Sequence, residues 1–284
     1  MAILFWGLTF VAGKVVLAEA SPMTVIVLRV SIGLVVLALG LFAQRIPVRL
    51  PGRDLALACL LGFMGVFVQQ WLVLSGLDRT SAINAGWLMI LSPLFTTVLA
   101  KPVLGEKFSF FKIMGVVLAF VGATLVISKG RPMVMFQNLS TSTTGDLLIV
   151  GGSFTWAVYS VASKGILARY PALIVTTYAM ASGWLLFIPL ALHNQIWQEA
   201  AHLSPRAWGA VLFLGICCTG LGYLFWYSAL EEMQASTVAS HQYLQPLVTL
   251  AGAWAVLGER ITWPVIAGGL LILAGVYMAI RETG

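Results

Sequence analysis

An all-α membrane protein with ten transmembrane helices, built as two inverted five-helix repeats, is the fold class that this sequence predicts. Three observations carry the prediction. Of 284 residues, 60% are hydrophobic and only 9% are charged, whereas soluble domains carry about 25% charged residues. The apolar residues fall into ten stretches, each near the roughly 20 residues a helix needs to cross a bilayer core about 30 Å thick. The chain also repeats itself: a shift of 153 residues places Ile90-Leu-Ser-Pro93 on Tyr243-Leu-Gln-Pro246 and Leu104-Gly-Glu-Lys107 on Leu257-Gly-Glu-Arg260.

The expected spans are 1–19, 22–43, 54–76, 81–103, 108–128, 145–167, 171–192, 206–229, 233–257 and 262–281. Residues 1–20 lack the positive n-region of a signal peptide and pair with a later span, so they are expected to remain as the first helix. Ser21-Pro22 and Tyr170-Pro171 open new helices, where proline's missing N–H costs nothing. Residues 45–53, with three arginines and two prolines, are too charged to stay in lipid. Asp146 is expected in the first turn of the sixth helix, where it complements the dipole. Residues 129–144 form a polar linker, dividing a first repeat at 1–128 from a second at 145–284.

The repeat is specific. Fourteen identities fall between residues 91 and 127 at the 153-residue shift, among them Pro93, Gly105, Glu106, Gly115 and Gly122. Apolar bias alone would match Leu and Val, not Pro, Gly and Glu together. The first helices align at a shift of 150, which brings Trp6 onto Trp156 and Lys14 onto Lys164. Five spans per half is an odd number, so the second copy enters the membrane upside down, an architecture of transporters whose site lies where the repeats meet. Arg45, Arg49 and Arg53 favour both termini inside.

Charge and cysteine content narrow the chemistry. The net charge of +6 is spread over helix ends, as topogenic charge is, so no nucleic-acid partner is expected. Cys59, Cys217 and Cys218 lie in apolar stretches without metal spacing and read as buried small hydrophobes. There is no G-x4-G-K-[ST] loop for an ATP motor and no HExxH. No metal and no cofactor are expected. Asp54, Asp78, Glu106, Asp146, Glu231, Glu232 and Glu259 all lie at expected helix ends, which leaves no midplane carboxylate relay; Glu106 and Glu259 read as ion pairs or caps at the turns they occupy.

The two copies, each closing with Pro-x10-Leu-Gly-Glu-(Lys/Arg) and a Gly-x6-Gly helix, resemble EamA domains of the drug/metabolite transporter superfamily over essentially the whole chain. Within it the sequence is most similar to bacterial amino acid exporters, including aromatic amino acid exporters. The resemblance implies a ten-helix fold, a location in the bacterial inner membrane as a multi-pass protein, and export of amino acids by alternating access. A drug or nucleotide-sugar carrier of the same fold is the alternative, and Lys14 and Lys164 in the cavity would favour it. A monomer in contact with lipid is expected, and the chain is not expected to be an enzyme.

Candidate path residues follow from polarity inside apolar helices, which is costly unless a cavity or a partner receives it. His241 lies near the middle of the ninth span, with Thr237 and Gln245 on its face; it either lines a cavity or makes an interhelical hydrogen bond. The matching face of the first half holds Asn84, with Trp87 adjacent. On helix six, Trp156, Tyr159, Ser160 and Ser163 form one stripe, and Trp6, Thr9, Phe10 and Gly13 form its counterpart on helix one. Tyr223 adds an aromatic from helix eight. Pro93 and Pro246 withdraw a donor from their helices and are candidate hinges.

Overall fold

Without water, hydrocarbon-embedded backbone must satisfy its own hydrogen bonds, and the chain does so with helices. The computed structural model describes residues 1–45, 50–104, 110–130, 140–194, 196–232 and 241–281, and among these there is no strand. Five helices are long and apolar enough to cross a membrane: α2 (Pro22–Gln44), α3 (Gly52–Arg79), α7 (Thr141–Leu167), α8 (Ala172–His193) and α10 (Pro205–Ala229). The 23 residues of α2 span ~34 Å at 1.5 Å per residue. Between and around them run α1 (Ala2–Leu17), α4 (Ala82–Met89), α5 (Leu91–Leu104), α6 (Phe110–Ser128), the short α9 (Ile196–His202), α11 (Gln245–Leu257) and α12 (Trp263–Arg281).

Large apolar side chains stay exposed around the bundle, with Phe42 at 85% and Trp263 at 82%. Outward apolar surface on so many helices suits lipid contact, not water. Cys59 shares this exposed surface, and of the three cysteines only Cys218 is buried.

Two expected spans are not single helices. The fourth breaks at Ile90, so that Pro93 falls in the first turn of α5. In the ninth, a 3-10 turn at His241–Leu244 precedes α11, and Pro246 falls in the first turn of α11; residues 233–240 lie outside the described residues. Each proline thus starts a helical segment, where its missing donor removes no intrahelical bond. The sixth span begins earlier than expected, at Thr141, capped by the Ser140 hydroxyl, which accepts from the Thr143 amide at 3.1 Å. Asp146 is therefore past the first turn and fully buried.

Packing follows the repeat. α2 packs on a π-helical stretch of α10 (Phe213–Leu221), and α8 packs on the π-helical stretch of α3 (Phe63–Val68). The contacts are reciprocal. A Cβ on Gly62 would collide with the Ala179 carbonyl, and one on Gly215, its mate at shift 153, would lie 3.2 Å from the carbonyl of Arg29, the mate of Ala179 at shift 150. α6 and α12 touch backbone to backbone in the same manner: a Cβ on Gly122 would sit 2.5 Å from the Gly268 carbonyl, and one on Gly275 would sit 2.5 Å from the Gly115 carbonyl. Small residues at such crossings let membrane helices approach closely.

Carboxylates staple the helix ends. Glu199 Oε2 accepts from the Ser21 amide (2.8 Å), the Ser21 hydroxyl (2.8 Å) and the Thr24 hydroxyl (2.6 Å) at the start of α2. Glu19 accepts from the Ser204 amide and hydroxyl, both at 2.7 Å, at the start of α10. The position equivalent to Glu19 at shift 150 is Arg169, which grips Asp54 in the first turn of α3 at 2.8 Å, joined by the Tyr170 hydroxyl at 2.7 Å. The same joint is closed in both copies with opposite chemistry.

Two outcomes are expected. Gly122→Leu or Gly275→Leu should force α6 and α12 apart, costing on the order of 1–3 kcal/mol as overpacking does, measured as a lower Tm in detergent. Burial raises the pKa of Glu199, but the hydroxyl and amide bonds from Thr24 and Ser21 outweigh it and hold the carboxyl below its ordinary 4.5. A depressed folded pKa gives stability that is present above the unfolded value and is lost as pH falls through the folded one. Glu199→Gln should therefore melt lower than wild type at pH 7, with the gap closing as the pH is taken below 4.5.

Candidate functional site

The breaks in the fourth and ninth spans both border one cavity. Irregular backbone at membrane depth is tolerated where it is buried in protein or lines a cavity. Met89 and Ser92 flank the first break and line the cavity; Gln242 and Gln245 do so at the second. The remaining wall comes from Trp6, Thr9 and Phe10 of α1, Arg29 of α2, Gln69, Gln70 and Val73 of α3, Trp156 of α7 and Tyr223 of α10. The mix of apolar wall with a few polar groups suits a small-molecule site.

Three rings build the aromatic side. Trp6 and Trp156 meet edge to face at 5.4 Å, Trp156 and Tyr223 at 5.5 Å, and Trp6 and Tyr223 at 5.9 Å. Such perpendicular pairs suit the ring quadrupoles. The Trp6 indole N–H donates to the Cys218 carbonyl at 2.9 Å, which fixes the ring. Trp6 and Trp156 are repeat mates, so the two copies meet here through equivalent residues.

The polar side is built of amides. Gln70 Nε2 donates to the Tyr223 hydroxyl at 3.3 Å, again across repeat mates. The Ser92 hydroxyl donates to Gln242 Oε1 at 3.4 Å. Gln69 Oε1 is buried without a partner. In both α3 and α10 the cavity residues come directly after the π-helical stretch: Gln69 and Gln70 follow Val68, and Tyr223 follows Leu221 by two. π-Bulges recur at functional sites because they re-aim the side chains beyond them. Among the described residues no carboxylate is in the lining.

Of the sequence-predicted residues, Thr9, Trp156, Tyr223 and Gln245 line this cavity. His241 does not: it is exposed and lines a second depression together with Met1, Ile3, Phe225 and Trp226 among others. It falls in the 3-10 turn His241–Leu244 and not in an α-helix. Thr237 lies outside the described residues. Asn84 is spent elsewhere: its amide donates to both Asp146 oxygens at 3.2 Å, and the Thr80 hydroxyl donates to the same carboxylate. Trp87 packs its ring against Gly269 of α12. Tyr159 lies against Gly65 and Trp156, behind the cavity wall. Ser160 is outside the lining, with its hydroxyl buried.

Arg29, Gln69, Gln70, Ser92 and Gln242 were not singled out from sequence. Signals existed: Arg29 is the only charge within Pro22–Gln44, and Gln69-Gln70 is an amide pair inside an apolar run. Lys14, by contrast, donates to the Asp78 carbonyl at 3.3 Å, and Lys164 is exposed; neither lines the cavity. Glu259 caps α4, accepting from the Ala82 amide at 2.8 Å and the Ile83 amide at 3.1 Å.

A multi-helix membrane bundle around a central, amide- and aromatic-lined cavity defines a transporter of small molecules. Residues 1–128 and 143–281 each match the EamA-like transporter family, and the chain belongs to that family. It is a multi-pass inner-membrane transporter and not an enzyme. It is similar to the uncharacterized transporter YyaM of Bacillus subtilis, 30% identical over 97% of this chain and 90% of that protein. It is also similar to a probable terminal-alkyne amino-acid exporter of Streptantibioticus cattleyicolor, 28% identical over 100% and 92% of the two chains. A probable amino-acid metabolite efflux pump of Salmonella typhimurium is 28% identical over 65% of this chain and 62% of its own. A solved structure, described as "Crystal structure of protein", shares the fold with a TM-score of 0.71 at 20% identity over 98% of this chain and 94% of that one.

The Asn84–Asp146–Thr80 knot predicts a stability effect. Asp146→Ala leaves two buried donors unpaired and should cost about 1–3 kcal/mol, read as a lower Tm in detergent; an unchanged Tm would show the knot to be dispensable.

Proposed function

We propose that the chain exports amino acids, aromatic and other neutral ones, through the central cavity by alternating access. Residues 1–128 and 145–284 act as two five-helix halves of opposite orientation, joined by 129–144. The observation that carries the reading is that the cavity is walled by repeat mates from both halves, Trp6 with Trp156 and Gln70 with Tyr223. Reciprocal glycine contacts between the copies support a two-fold relation between the halves. A site on such an axis can be opened to either side by rocking one half against the other. The aromatic wall suits an apolar side chain, and the amides suit the polar groups of an amino acid. Two of the similar proteins carry amino-acid export or efflux in their names.

A nucleotide-sugar cargo is less well served. Its diphosphate calls for several cations, and the two lysines that would have supplied them lie away from the cavity. Pro93 and Pro246, beside the two helix breaks, are where segments would pivot.

Protein reconstituted in liposomes should show saturable counterflow of labelled phenylalanine, reduced at least tenfold by Trp6→Ala and by Trp156→Ala. Absence of saturable flux for every amino acid tried would sink the reading.

A further inference from the structure

Arg29 poses a problem of charge. Only 3% exposed, it lies in α2 ~10 Å from the helix start at 1.5 Å per residue. Its Nε donates to the Thr219 hydroxyl at 3.0 Å, and that hydroxyl donates in turn to the Leu214 carbonyl at 2.8 Å. Among the described residues no carboxylate forms an ion pair with it. The buried acids are engaged elsewhere, Asp54 with Arg169 and Asp146 with Asn84 and Thr80. Among the described residues the η edge of the guanidinium carries no hydrogen bond, and the residue lines the cavity. A buried, unpaired charge is strongly unfavourable, and an arginine fork is shaped for two parallel bonds to a carboxylate.

We propose that Arg29 is a cargo-binding residue whose η edge takes the carboxylate of the transported molecule, supplying the counter-charge that the cavity lacks. The inference rests on the reading of this cavity as the cargo site. Gln69 Oε1, in the same lining and unpartnered among the described residues, then receives the ammonium group of an α-amino acid, and the rings of Trp6 and Trp156 hold its side chain. The cavity selects carboxylates: an amide or ester of the same skeleton keeps the aromatic contact but leaves the guanidinium unpaired.

The test is a binding titration followed by tryptophan fluorescence in detergent, since Trp6 and Trp156 line the cavity. The probes are L-phenylalanine, L-phenylalaninamide and 3-phenylpropionate. In wild type the two carboxylates should bind at least tenfold more tightly than the amide. Arg29→Met should abolish that preference and Arg29→Lys should keep part of it. Size-exclusion and melting profiles establish that each variant is folded; if Arg29→Met does not fold, the wild-type preference and its reduction in Arg29→Lys decide. Equal binding of acid and amide, no binding of either carboxylate, or a preference that survives in a folded Arg29→Met would overturn the proposal. Carboxylate-selective binding without flux in liposomes would reject the export reading alone. Flux in wild type with an acid preference indifferent to position 29 would reject the role of Arg29 alone.

Discussion

A polar group left unsatisfied in hydrocarbon costs several kcal/mol, and that single constraint organises this molecule. It dictates helices among the described residues. It also explains where regular structure lapses. The breaks after Met89 and before Gln245 sit at the cavity, where polar side chains and space for water or cargo receive the backbone. At the bundle's ends the same requirement recruits carboxylates: Glu259, Glu199 and Glu19 accept from the first amides and hydroxyls of α4, α2 and α10. Each staple joins segments that are far apart in sequence, so satisfying helix ends and fastening the fold are one act.

The duplication is kept where packing is closest and relaxed where chemistry matters. Gly62 and Gly215, or Gly122 and Gly275, admit no side chain, because a Cβ would enter a neighbouring helix's backbone or side chain. At the cavity the mates differ: Gln70 faces Tyr223, and Gln69 corresponds to Gly222. The cavity is therefore chemically lopsided within a frame of nearly equivalent helices.

Much of this was legible in the sequence. Apolar stretches of bilayer length and the Leu-Gly-Glu repeat pointed to the membrane class and the family. The aromatic stripes of helices one and six brought Trp6, Thr9 and Trp156 to the cavity because period alone fixes a helix face. Reading failed where a continuous helix was assumed. His241 falls on a 3-10 turn, and each break lies a few residues before a proline, Pro93 or Pro246. Asn84 and Asp146 were separated by 62 residues, and a tertiary hydrogen bond leaves no trace in periodicity. Arg29 belongs to no repeated motif and to no polar stripe, yet a single base inside an apolar helix is as costly, and as informative, as an acid.

The π-helical stretches of α3 and α10 have a mechanical consequence. Each holds one residue more per turn than the α-helix around it, so the hydrogen-bond ladder there can be rethreaded stepwise without a helix end being created. One such step advances the segment beyond it by about 1.5 Å and turns it by roughly 100°. Gln69 and Gln70 on one side, and Tyr223 on the other, lie at the far edge of these stretches. α3 and α10 thus carry their own slack, like a screw thread with one spare notch, beyond starts that Asp54–Arg169 and Glu19–Ser204 hold in place.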